Sequence, residues 1–216
     1  MQIEHFINAL LLTMAGSAVV FFNSRKKAKA EAKSNPLIND KGILINGVTW
    51  ATRNVDKPGT FVEDPEDAGM YYPWNRKVAW PATGDTTDRE DDSGPAGTTW
   101  KKANDPSPAG WRVPTMDELQ TLLDAEKVRN EWATGYGVTG RRFTDKTTGN
   151  SIFLPATGRC DYSNSLLSDA GLSGFYWSST LYASGLAYSL MFSSDNPSSI
   201  GSFFTTFGSN IRSVAD

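Results

Sequence analysis

Cys160 is the only cysteine of this 216-residue chain and His5 its only histidine. No intrachain disulfide can form, and no Cys/His zinc set can be assembled. A Ser-His-Asp or Cys-His catalytic arrangement would have to recruit His5, which lies in an N-terminal segment far from the rest of the sequence. No catalytic residue, metal or cofactor is therefore expected, and the fold has to be held by its core and its hydrogen bonds. Seven tryptophans, Trp50, Trp74, Trp80, Trp100, Trp111, Trp132 and Trp177, are spread along the body. Large rings distributed in this way pin a core of irregular loops.

The length suits one domain plus an appendage. A net charge of -3 gives no electrostatic case for nucleic acid. The appendage is residues 1 to 36. Residues 6 to 22 are nearly uninterrupted apolar sequence, just long enough to span a bilayer as a helix. Arg25, Lys26, Lys27, Lys29 and Lys33 follow, whereas Met1 to His5 hold no Lys or Arg, so the order is wrong for a secretory signal. Two readings fit. One is a transmembrane anchor, with the positive-inside rule placing the C-terminal domain on the cytoplasmic side. The other is an apolar helix packed into a virion or other assembly. Pro36 ends the basic linker.

The domain spans residues 37 to 216. Gly42 to Gly47 suggests a hairpin, with Val48 to Ala51 as its second strand. Asp85, Asp88, Glu90, Asp91 and Asp92 form an acidic loop without a recognised calcium spacing, so a solvated loop is favoured over a metal site. Pro114-Thr-Met-Asp-Glu118 carries a capping box, and Met116, Leu119, Leu122 and Leu123 follow at helical spacing. This predicts a helix from about Met116 to Lys127. Short strands are expected at Ser151 to Leu154, Gly174 to Ser178, Ala187 to Phe192 and Asn210 to Val214. One clear helix among short strands and long loops is an α+β pattern. Arg112 and Arg212 are expected to bond loop carbonyls in the interior, and Cys160 to be an inert buried thiol.

Five segments occur in a fixed order: Gly47-Val-Thr-Trp-Ala-Thr-Arg-Asn54, Asn104-Asp-Pro-Ser-Pro-Ala-Gly-Trp-Arg-Val-Pro-Thr115, Ile152-Phe-Leu-Pro-Ala156, Gly174-Phe-Tyr-Trp-Ser-Ser-Thr180 and Gly208-Ser-Asn-Ile-Arg-Ser-Val214. Together they resemble the Fibrobacter succinogenes major paralogous domain family over roughly residues 40 to 216. The resemblance implies a C-type-lectin-like fold, distantly similar to that of the formylglycine-generating enzymes. It also implies cysteines at two positions where this chain has Ser107 and Ser213. Loss of both together suggests maturation in the cytosol. It excludes the paired-cysteine chemistry of those enzymes, so an enzyme of that kind is a remote alternative.

Leu181 to Ser209 differs from the rest. Its charge reduces to Asp195, and Lys, Glu, Gln, Arg and Trp are absent. This stretch resembles the variable region of proteins diversified by retroelements. Randomising the adenines of Asn codons yields Ser, Thr, Tyr, Phe, Leu, Ile, Gly, Ala, Asp and a few others, and the alphabet seen fits this except for Met191. The resemblance implies a non-catalytic variable protein that binds a protein or cell-surface ligand. Such a chain would be a phage or prophage receptor-binding component, or alternatively a membrane-anchored surface adhesin, and a homo-oligomer is compatible with either. The expected ligand-binding positions are Leu181, Tyr182, Ser184, Leu186, Ser198, Ile200, Phe203, Phe204, Thr206 and Phe207. The three phenylalanines are read as exposed anchors in a loop. Trp111, Trp177, Tyr188, Leu190 and Phe192 are read as scaffold.

Overall fold

The computed structural model describes residues 39 to 82, 97 to 161 and 167 to 216. The apolar segment at 6 to 22, the basic linker and the acidic loop at 85 to 92 lie outside the described residues. The described chain opens with β1 (Ile43–Ile45) and β2 (Val48–Trp50), an antiparallel pair. Asn46 and Gly47 join them with φ of 44° and 82°. Two successive left-handed residues make the tight turn whose twist suits a hairpin, and Asn-Gly adopts it at least cost. The Asn46 amide donates to the Asp145 carboxylate at 2.9 Å, and its side chain donates to the Thr121 carbonyl at 2.9 Å. A local turn thus becomes a long-range tie.

Next come β3 (Trp111–Arg112) and the helix α1 (Met116–Thr121). Thr115 and Glu118 form the reciprocal capping box that their spacing predicts. The helix is shorter than expected, ending at Thr121 rather than near Lys127. The last amides explain the stop. Leu122 and Leu123 donate to carbonyls three residues back, tightening the coil, and Asp124 accepts from Glu126 through its side chain and from Lys127 and Val128 through its carbonyl. That Asx turn competes with further helix. Leu119 and Leu122 are fully buried, and Leu123 is half-buried against the same core.

β4 (Val128–Gly135), β5 (Val138–Asp145) and β6 (Ser151–Pro155) form an antiparallel sheet in that order. The β4–β5 hairpin turns on Tyr136-Gly137 and was not anticipated from the sequence. β7 (Arg159–Cys160) pairs with β8 (Leu167–Ser168). β9 (Ser173–Ala183), β10 (Leu186–Ser193) and β11 (Ser199–Phe204) form a second three-stranded sheet in the order β11-β10-β9. β12 (Val214–Ala215) returns between β2 and β3, so the two ends of the described body share one sheet, β1-β2-β12-β3. The result is a set of small antiparallel sheets with a single α-helix among the described residues, an α+β arrangement.

Two apolar clusters sit on either side of the β9–β10–β11 sheet. One joins Leu119 and Leu122 of α1 to Phe143, Ile152, Leu154, Tyr176, Leu190 and Phe192. The other gathers Trp74, Trp100 and Trp177 with Tyr72, Ala187 and Ile211. The indole N–H of Trp74 donates to the Ser178 carbonyl, that of Trp177 to the Tyr72 carbonyl, and that of Trp100 to the Asn104 carbonyl. These rings hold loop backbone in place, as their spread predicted.

The segment from Asn210 to Val214 is mostly not strand. Its side chains act as interior posts instead. Asn210 accepts from Thr157 and donates to the carbonyls of Ala68 and Met70. Arg212 is fully buried and donates to Asn54 Oδ1 and to the carbonyls of Ala51 and Phe153. Burial pushes its guanidinium below the usual arginine range. Arg112 behaves differently from expectation. It is half-exposed and forms a bidentate pair with Glu118 at 2.6 and 2.8 Å rather than bonding loop carbonyls. Cys160 is fully buried and forms no disulfide.

Candidate functional site

Alternation along β10 and β11 decides which side chains of the predicted surface reach solvent. Ala187, Ser189, Leu190 and Phe192 are buried, while Leu186, Tyr188 and Met191 are only partly covered. Cross-strand pairing sets Leu186 opposite Phe204, Tyr188 opposite Ser202 and Leu190 opposite Ile200. Directly paired residues share a face. At the Leu190–Ile200 end that face is covered by the first core cluster and α1, to which Ile200 packs. At the other end it is open. There Tyr182 and Phe204 are 55% and 59% exposed, and Tyr182 stands edge-on to Tyr188 with ring centres 5.2 Å apart.

A bulge aims this cluster. The β9–β10 register jumps from Ala187↔Leu181 to Ser189↔Trp177, leaving extra β9 residues beside Tyr188. Bulges increase local twist and re-aim side chains. The short turn at Ser184-Gly185, with Gly185 at φ 74°, then brings Leu186 back beside Ala183. The Thr205 amide donates to the Gly185 carbonyl at 3.0 Å, tying the end of β11 to the turn.

The predicted site residues therefore divide. Tyr182, Ser184, Leu186 and Phe204 belong to the open end of the sheet. Thr206 and Phe207 lie half-buried in the turn after β11, with Phe207 6.1 Å from the Phe204 ring. Ser198 is half-buried and hydrogen-bonds Asn130 Oδ1 at 3.1 Å. Leu181 and Ile200 pack against the second and first core clusters respectively.

Phe203 requires a correction. Against the sequence expectation of an exposed loop anchor, it occupies a strand and packs inward. Its ring stacks on Phe175 at 5.1 Å and touches Trp177 at 6.0 Å. The Arg159 guanidinium, paired with Asp169, lies over both Phe175 and Phe203. Tyr188 moves the other way. It was assigned to the scaffold, yet it lies on the open face. The signal was present in the alternation of small buried Ala187 and Ser189 with bulky Leu186 and Tyr188.

The open end holds no ionisable acid or base from Leu181 to Ser209 other than Asp195, in the turn at the opposite end of β10. Its strand residues offer rings, methyl groups and hydroxyls. A separate open cleft of about 620 Å³ lies beside β3, lined by Lys77, Trp100, Lys102, Trp111, Arg112 and Asp216 among others. The sequence reading did not anticipate it. Its Arg112 is already engaged by Glu118, and Asp105 there accepts the amides of Ser107 and Val113.

No protein-family model, curated protein or solved structure matches this chain. Among the described residues no cluster of His, Cys, Asp and Glu could hold a metal, and no helix is long and apolar enough to cross a membrane.

Proposed function

We propose that this chain is a non-catalytic binding module of C-type-lectin-like fold, with its recognition surface at the open end of the β9–β10–β11 sheet. The observation that carries this reading is the clustering of Tyr182, Leu186, Tyr188 and Phe204 on one face of strands that carry no charge there. A rigid sheet holds them there, and core residues pack behind it. Rigid aromatics beside serine hydroxyls give contact area at low entropic cost, with adaptable hydrogen bonding around it. The partner is a protein or other cell-surface ligand.

Two features support the family reading behind this proposal. The residue alphabet of Leu181 to Ser209 is that of a retroelement-diversified region. Ser107 and Ser213, which the resemblance pairs as lost cysteines, are hydrogen-bonded neighbours. The chain is then the variable receptor-binding component of a phage or prophage, matured in the cytosol, with residues 6 to 22 seating it in the virion. The basic run that follows those residues favours a second reading, a membrane-anchored adhesin.

The test compares the wild-type chain with a Tyr182→Ser/Tyr188→Ser/Phe204→Ser triple variant. Each fluorescently labelled protein is titrated onto intact bacterial cells and onto arrayed cell-surface proteins. The variant keeps its melting temperature within a few degrees and loses the binding shown by the wild type. Undiminished binding by the folded triple variant would sink the assignment.

A further inference from the structure

The β11-β10-β9 sheet has two edges, and they are treated differently. The outer edge of β9 is covered. Its Leu181, Ser179 and Trp177 amides donate to the carbonyls of Thr98, Pro114 and Asn210 at 3.0, 2.6 and 3.0 Å. The outer edge of β11 is bare among the described residues. The Thr205-to-Gly185 bond sets the phase of the β10–β11 ladder, so Ser199, Gly201 and Phe203 turn their main-chain groups toward β10. Ile200, Ser202 and Phe204 turn theirs outward. The Phe204 carbonyl accepts from the Phe207 amide at 3.1 Å. The N–H and C=O of Ile200 and Ser202 have no protein partner among the described residues.

Proteins blunt such edges with charge, proline or a bulge. The edge strand β4 carries Arg129 and Glu131. The β11 sequence Ser-Ile-Gly-Ser-Phe-Phe has neither charge nor proline, and its ladder with β10 runs without a register shift. An unblunted edge beside an exposed Phe204 is suited to pairing.

The strand is complementary to itself. We propose that β11 is the contact strand of a two-fold homodimer, paired antiparallel with its own copy about Ser202. In that register Ser202 faces the partner's Ser202, exchanging both main-chain hydrogen bonds. Ile200 faces the partner's Phe204, an aliphatic–aromatic pair of the kind that stabilises sheets. Each such pair covers part of an exposed Phe204 ring. On the opposite face Gly201 meets the partner's Phe203, so no bulky side chains collide. No like charges approach, because the strand has none. The two sheets become one continuous sheet with both open ends on the same side. This interface stands whether or not the Tyr182–Phe204 face binds a ligand.

Site-specific cross-linking of the full chain tests the register, in a detergent-containing buffer that keeps residues 6 to 22 from adding association of their own. Ser202 and Ser199 are both exposed on β11, and Cys160 is buried. Ser202→Cys places two thiols directly opposite across the dimer axis. Ser199→Cys places them about 20 Å apart along the strands. Under mild oxidation Ser202→Cys forms a covalent dimer about tenfold faster or more, because the thiols are pre-positioned. Sedimentation velocity supplies a second readout. The wild type shifts toward dimer as concentration rises. Ser202→Pro, which removes an outward N–H and leaves the β10 ladder intact, shifts back to monomer with its melting temperature kept within a few degrees. Equal cross-linking rates at 202 and 199, or identical sedimentation of wild type and Ser202→Pro, would overturn the proposal. In that event, protection of the β11 amides that appears only when a foreign extended peptide is added would assign the edge to such a partner instead.

Discussion

The side-chain oxygens of Ser107 and Ser213 lie 2.8 Å apart, although 106 residues separate them in the chain. Ser107 stands in the loop before β3 and Ser213 directly before β12. The pairing of Val214 with Arg112 and of Ala215 with Trp111 brings the two together. A Ser107→Cys/Ser213→Cys double variant should therefore close a disulfide in oxidising buffer. A closed loop of that length stabilises by about 4–5 kcal/mol in the chain-entropy account. The check is a thermal melt of the double variant with and without reductant. The melting temperature should rise only in the oxidised sample, and no rise would show that the backbones are too far apart to bridge.

Phe203 and Phe204 are neighbours in sequence with opposite roles, and substitution should separate them. Phe203→Ser removes a ring stacked on Phe175 and packed against Trp177, so it should cost about 3 kcal/mol. Phe204→Ser and Tyr182→Ser remove exposed rings and should each change stability by about 0.5 kcal/mol or less. Urea denaturation of the three variants measures the contrast. Equal losses at 203 and 204 would show that the sheet faces have been assigned wrongly.

The cap of α1 should give the domain a distinct acid limb. Burial alone would raise the Glu118 carboxyl, but the Arg112 guanidinium and the Thr115 amide together hold it below the usual carboxylate range. A depressed folded-state pKa adds stability at pH values above the ordinary glutamate pKa of about 4.3. That contribution is lost as pH falls through the lower folded value. Glu118→Gln should be less stable than wild type at pH 7, with the gap closing as pH falls below about 4. Thr115→Ala should cost about 1 kcal/mol from the cap itself. Denaturant midpoints across pH 3 to 7 supply the comparison, and a gap that stayed constant with pH would show that the carboxylate has no linked role.

Much of the local structure was legible because its causes are local. Pro114-Thr-Met-Asp-Glu118 contains both halves of a capping box, and Asn46-Gly47 contains the two left-handed residues of a hairpin turn. The end of α1 was misplaced because Leu122 and Leu123 continue the apolar spacing after the backbone has left the helix for Asp124. The β4–β5 hairpin was missed for a related reason. From Arg129 to Ala133 the strand runs three polar residues before Trp132 and Ala133 and is mostly half-buried, so it shows no clean alternation, and it is a strand only because β5 pairs with it along its whole length.

The candidate site shows where sequence reading stops. The chain by itself determined that no intrachain disulfide could hold the fold, that α1 would begin just after Thr115, and that Leu181 to Ser209 would be nearly uncharged and rich in rings and hydroxyls. Only the tertiary structure decided which of those rings are presented. In a strand, adjacent side chains point to opposite faces, so Phe203 and Phe204 had to differ. Nothing in their shared local composition says which one turns inward. The packing of Phe175, Trp177 and Arg159 against one face, and the open end beyond α1 on the other, settled it.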